Sequence, residues 1–144
     1  MPYPEMMVKP MREELTTAGF EELRSADEVD RFMNDRSGTA LLVVNSVCGC
    51  AAGMARPGVR AALEAAPRPE RLATVFAGQD LEATARARSY FPDIPPSSPS
   101  IAVFKDGELV HFVPRHRIEG RSAQDVADHL TEVLRAHSAA PAAS

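Results

Sequence analysis

The sequence predicts an α/β protein: a central mixed β-sheet flanked by helices. Three observations carry that prediction. Two apolar runs of strand length, 39–46 and 72–77, are separated by a stretch rich in Ala, Leu, Arg and Glu. Continuous apolar runs of this kind suit central strands covered on both faces, and the intervening composition favours helix. Two further apolar runs, 100–105 and 108–113, flank Asp106-Gly107, a strong two-residue hairpin signal that adds an antiparallel pair to the sheet.

The elements follow in order. Met11 to Ala18 is expected as a short helix stopped by Gly19, and 20–23 as a short edge strand. Ser25 is a good N-cap with Glu28 three residues on, and Val29, Phe32 and Met33 share one helical face up to about 36–38. After the strand at 39–46, a helix is expected over 50–66 with a kink at Pro57, closed by Pro67-Arg68-Pro69. The strand at 72–77 ends at Gly78, and Asp80 is expected to cap a helix from Leu81 to about Tyr90. An irregular loop with four prolines, 91–99, precedes the hairpin. Ser122 caps a last helix whose Val126, Leu130, Val133 and Leu134 face inward. From the edge strand onward the order is β-α-β-α-β-α-β-β-α, that of a thioredoxin-like fold. Residues 1–137 are expected to form one domain and 138–144 a flexible, small-residue tail.

Composition narrows the function classes. At 144 residues the chain buries roughly two thirds of its unfolded surface, enough for a sizeable core. A net charge of −4 gives no electrostatic case for binding nucleic acid or an anionic membrane. No apolar stretch approaches the roughly 20 residues needed to span a bilayer. Met1-Pro2-Tyr3-Pro4-Glu5 has neither the basic nor the apolar region of an export signal, so a cytoplasmic address is expected. Structural disulfides are rare there, and paired thiols more often mean catalysis or metal.

The two cysteines, Cys48 and Cys50, flank Gly49 where the first central strand hands over to a helix. Unpaired N–H groups and the helix dipole at such a junction favour a thiolate. Cys48, just before the helix, is the expected nucleophile, and Cys50, nearer the first turn, the resolving thiol. Gly49 supplies the backbone freedom a bridge across one residue demands, and that bridge is expected to be strained and readily reduced. Two other readings of the pair remain. The thiols are small core residues, or they ligate a metal with one of His111, His116, His129 and His137; against the latter, structural zinc wants four ligands and no second cysteine pair exists. Pro99, just before an apolar strand, stands where it shapes the groove beside the thiols. Arg56, His111, Arg115 and His116 are candidates to contact an acidic thiol ligand or to tune the thiolate. Tyr90, Phe91 and Phe104 read as core.

Several blocks resemble the bacilliredoxins: 45–53 around Cys-Gly-Cys, Ala55-Arg56-Pro57, 75–80, Pro96-Ser97-Ser98-Pro99-Ser100, and 110–116. The likeness covers about residues 8 to 137. It implies a thioredoxin-like fold in which Pro99 is a cis-proline facing the redox pair. Ser98, Pro99 and Arg56 are the expected substrate-binding positions. It also implies removal of bacillithiol from S-bacillithiolated client proteins, with that small thiol as exchanging partner and no resident cofactor or metal. Cys48 takes the thiol onto itself, and Cys50 or a second bacillithiol clears it. Relatives are also described as weak disulfide isomerases. Thioredoxins proper carry Trp before the first cysteine and a buried acid six residues before it. Here Val47 and Leu42 stand in those places, so proton transfer must run through solvent or another group. Some members carry a further cysteine near the C-terminus; Ser138 follows His137 here, which removes any step needing a third thiol.

Overall fold

The fold is organised by β2 (Thr39–Asn45), whose seven residues are all buried. Alternation along the strand sends Leu41 and Val43 to one face, with Leu15, Val59, Ile101, Val103 and Leu130. Ala40, Leu42 and Val44 go to the other face, with Val29, Phe32, Ala73, Val75, Ala83 and Phe104. One strand thus carries two cores, and each Leu or Val buried from water contributes about 1.5–3 kcal/mol. The structure is a computed structural model describing residues 2–138; of the expected tail, 139–144 lie outside the described residues.

Five strands form one mixed sheet in the order β1-β3-β2-β4-β5. β1 (Glu21–Glu22) and β2 lie parallel to β3 (Arg71–Phe76), whereas β4 (Ser100–Lys105) runs antiparallel to β2 and to β5 (Glu108–Val113). The β4–β5 turn is the expected one: Asp106 and Gly107 both adopt positive φ, 51° and 85°, the twist that a two-residue hairpin requires. α1 (Glu5–Thr16), α3 (Arg56–Ala65) and α5 (Ala123–Ala136) supply side chains to the first core, while α2 (Ala26–Asn34) and α4 (Leu81–Arg88) supply the second. None of the described helices is long and apolar enough to cross a membrane. The likeness to a thioredoxin-like α/β fold holds in element order and sheet pairing.

Local signals placed the caps well. The Ser25 hydroxyl accepts the Glu28 amide, and Ser122 forms a reciprocal capping box with Asp125. Several boundaries differ. α1 begins at Glu5 rather than Met11 and runs through Pro10; Val8, Arg12 and Leu15, spaced as one helical face, are buried and hold it against the sheet. α2 ends at Asn34 and α4 at Arg88, short of the expected 36–38 and Tyr90. Asp80 occupies the N-cap position of α4 but makes no side-chain cap; its carboxylate instead accepts from Arg12 at 2.6 and 3.2 Å. A buried cation within reach outcompetes a backbone amide for that carboxylate. The break in the long helix also lies before Pro57 rather than at it. Residues Ala51–Ala55 form a π-turn, with the Arg56 amide reaching back five residues to the Ala51 carbonyl, and Pro57 sits in the first turn of α3, where its missing N–H costs nothing.

Candidate active site

Three residues after the C-terminal end of β2, the chain turns into its first helical turn and presents Cys48 there. Asn45, the last residue of β2, is buried and fixes the turn. Its amide donates to the Met11 carbonyl of α1 at 3.2 Å, and its Oδ1 accepts the Ser46 amide at 2.9 Å. Arg56, only 1% exposed, sits beneath. Its Nη1 donates to Asn45 Oδ1 and to the Ser46 carbonyl, both at 2.8 Å, and its Nε pairs with Glu14 of α1 at 2.8 Å. The expectation that Arg56 contacts a substrate is therefore corrected. An arginine placed directly after a π-turn points under the loop, not out of it, and its Nε and Nη1 are spent on acceptors of the protein itself.

Cys48 and Cys50 are both half-buried free thiols. The Ser46 hydroxyl lies 3.3 Å from Cys48 Sγ, and the Cys48 amide approaches the same hydroxyl oxygen at 3.4 Å. The Cys48 carbonyl accepts the Ala51 and Ala52 amides at 3.0 and 3.1 Å, closing the turn. Burial pushes the Cys48 thiol up, but the Ser46 hydroxyl, the Ala51 and Cys50 amides and the Cys50 thiol together hold it below its ordinary value. For Cys50 the direction is reversed: burial raises it, and so does donating its proton toward a negatively charged Cys48. The two sulfurs are therefore unequal, one predisposed to ionise and the other to keep its proton. Gly49, in contrast, needs no special backbone. It is exposed in the first helical turn, its φ is not positive, and a Cβ added there would meet nothing within 4 Å. The expected demand for glycine does not arise in the dithiol form.

The proline loop joins the site through Arg115, in the 3-10 turn Arg115–Arg117 that follows β5. The peptide between Ser98 and Pro99 is cis and Pro99 is buried. Arg115 donates from its amide to the Ser97 hydroxyl and from Nη1 to the Ser98 carbonyl, each at 3.2 Å. Its guanidinium is stabilised chiefly by charge on Cys48 and Cys50, with Glu119 next. Arg115 thus bonds the loop carrying Ser98 and Pro99 and lies within electrostatic range of both sulfurs. Of the other basic candidates, His111 pairs with another histidine. Its Nε2 meets His129 Nε2 at 2.9 Å across β5 and α5. His116 is exposed. Phe91 and Phe104 are buried as expected, whereas Tyr90 is partly buried and bonds Asp30. Among the described residues no three His, Cys, Asp or Glu side chains converge as metal ligands would.

The contact from Ser46 to Cys48 was not anticipated from sequence. A serine hydroxyl that accepts the backbone amide two residues on is a familiar local arrangement, but nothing in the sequence says the hydroxyl proton will be aimed at sulfur.

Comparison with known proteins fits this geometry. A sequence model described as "Disulphide isomerase" matches residues 3–138. The bacilliredoxin of Cytophaga hutchinsonii is 60% identical over 131 residues, 91% of this chain and 96% of that protein. The chain belongs to the bacilliredoxin family. The family's bacilliredoxin from Bacillus cereus is 53% identical, covering 92% of each chain. Among solved structures, a thioredoxin from Fasciola hepatica aligns with a TM-score of 0.58 at 21% identity, over 83% of this chain and all of that one. A thioredoxin variant from Halobacterium salinarum gives 0.58 at 19% identity, over 87% and 96%. Those two establish the fold alone. Fold, family and unequal thiols together make this bacilliredoxin-family chain a thiol-disulfide oxidoreductase.

Proposed function

We propose that this protein removes bacillithiol from S-bacillithiolated client proteins in the cytoplasm, working by thiol-disulfide exchange without metal or resident cofactor. The observation that carries the reading is the inequality of the two sulfurs on a bacilliredoxin-family chain. Cys48 is the sulfur favoured to ionise first, and Cys50 the neighbour that holds its proton longer. In the first step the Cys48 thiolate attacks the bacillithiol sulfur of the mixed disulfide. A Cys48–bacillithiol bond forms, and the client sulfur leaves with the electron pair of the broken S–S bond. In the second step Cys50 gives its proton to solvent and attacks Cys48 Sγ, expelling bacillithiol as thiolate and leaving a Cys48–Cys50 disulfide. Alternatively a second bacillithiol attacks the bound one, which restores the Cys48 thiolate and releases oxidised bacillithiol. Ser98 and Pro99, tied to Arg115, form the wall against which the mixed disulfide lies. The partners are thiolated proteins and a small thiol; the acidic net charge favours neither nucleic acid nor membrane.

The test supplies two clients, one thiolated with bacillithiol and one carrying an internal disulfide, and compares rates. Faster release of bacillithiol is expected. If the internal disulfide reacts far faster, the second reading, a general disulfide reductase or isomerase, replaces this one. The disulphide isomerase description of the matching family model favours that alternative. It uses the same two thiols in the same roles.

A further inference from the structure

We infer that Ser46 is a catalytic group of this site, the hydroxyl donor that holds the Cys48 sulfur as an anion, and that Asn45 and Arg56 are positioning residues that aim it. The inference rests on Cys48 being the attacking sulfur and adds the group that makes it so. Ser46 is 6% exposed, and its hydroxyl has one proton to give. The amide of Cys48 approaches the oxygen at 3.4 Å, which occupies a lone pair, and the sulfur of Cys48 lies 3.3 Å away. Among the described residues the hydroxyl proton has no other acceptor. The backbone that carries the hydroxyl is held on both sides. Its N–H is bound to Asn45 Oδ1 at 2.9 Å, and its carbonyl to Arg56 Nη1 at 2.8 Å. Those two are anchored in turn on α1, through the Met11 carbonyl and Glu14.

The chemistry follows from the difference between thiol and thiolate as acceptors. A neutral sulfur accepts weakly, whereas a charged one gains a charge-assisted bond. The donor therefore favours ionisation without itself titrating. That distinction matters at a site with leucine where an acid would otherwise relay protons: the Cys48 proton leaves to solvent, and Ser46 keeps its own throughout. When Cys48 attacks, its lone pair becomes the new S–S bond and the departing sulfur takes the old bonding pair, so the serine bond weakens on attack and re-forms when Cys48 is released.

The test is alkylation of Cys48 by iodoacetamide across pH, resolved from Cys50 by mass spectrometry, in the full chain and its Ser46→Ala variant. Loss of one such donor is expected to raise the Cys48 pKa by about one unit, a tenfold loss of thiolate at low pH. A more basic thiolate is intrinsically about threefold more reactive, since nucleophilicity rises with roughly the 0.4–0.5 power of basicity. The two profiles must then cross. The variant is about threefold slower below both pKa values and about threefold faster above them, and Ser46→Thr, which keeps the hydroxyl, restores the original profile. A structural role predicts uniform slowing at every pH. Uniform slowing, unchanged profiles, or a folded threonine variant that behaves like alanine each overturn the inference. Because no bacillithiol enters the assay, failure of the proposed substrate and failure of this inference are separately visible.

Discussion

Replacing Arg56 with Met isolates what a buried cation contributes beneath a reactive loop. The methionine keeps most of the apolar stem, so the change removes chiefly the guanidinium. Three contacts go with it, to Asn45 Oδ1, the Ser46 carbonyl and Glu14, all at 2.8 Å. The Ser46 carbonyl loses a charged donor inside the protein, which costs about 1–3 kcal/mol. Asn45 Oδ1 keeps the Ser46 amide and loses less, about 1 kcal/mol. The Glu14 side chain is 42% exposed, so water replaces its partner and the contribution is at most a few tenths. The expected loss is about 3 kcal/mol, a large share of the 5–15 kcal/mol typical of a domain. Urea denaturation followed by circular dichroism measures it. With a slope of about 1.5–2 kcal/mol/M the midpoint falls by about 1.5–2 M. Glu14→Gln, measured alongside, should cost less than about 1 kcal/mol. A loss below about 1 kcal/mol for Arg56→Met, or an equal loss for Glu14→Gln, would refute the view that the arginine acts through Asn45 and Ser46.

Other outcomes follow from the same geometry. In Cys50→Ser the mixed disulfide on Cys48 should persist and appear as a mass increase equal to the small thiol, while Cys48→Ser forms none; the opposite pattern reverses the two roles. Gly58→Ala places a Cβ 2.7 Å from Val126 Cβ and Cγ1 and 3.0 Å from the Ala123 carbonyl. α3 and α5 must separate, so after a gain of about 1 kcal/mol in helix propensity a net loss of about 1–2 kcal/mol is expected. Calorimetry should show this as a fall in Tm of about 3–6 °C. Glu22 is raised above the usual carboxylate range by burial, against the pull of Arg12. A raised acid contributes stability below its unfolded pKa of about 4.3 and loses it as pH climbs through the folded value. The stability of the unaltered chain relative to Glu22→Gln should therefore decline as pH rises from about 4, and a difference that grows would contradict the buried placement.

Much of the architecture is written in short-range signals. The alternation of β2, the Asp106-Gly107 turn, the caps at Ser25 and Ser122 and the inward face of α5 each depend on residues within one or two turns, so sequence alone determines them. The pair Cys48 and Cys50 is legible for the same reason: its position between strand and helix is local. What the sequence left open depends on partners far along the chain. Asp80 looks like a helix cap until Arg12, 68 residues away, takes its carboxylate. Arg56 looks like a surface charge until β2 and α1 close over it and offer it Asn45, Ser46 and Glu14. The aim of the Ser46 hydroxyl is decided last, by those same buried contacts. Local spacing fixes which residues share a face; only the packed chain fixes which donors find which acceptors, because a buried polar group must be satisfied by whatever the fold brings within 3 Å.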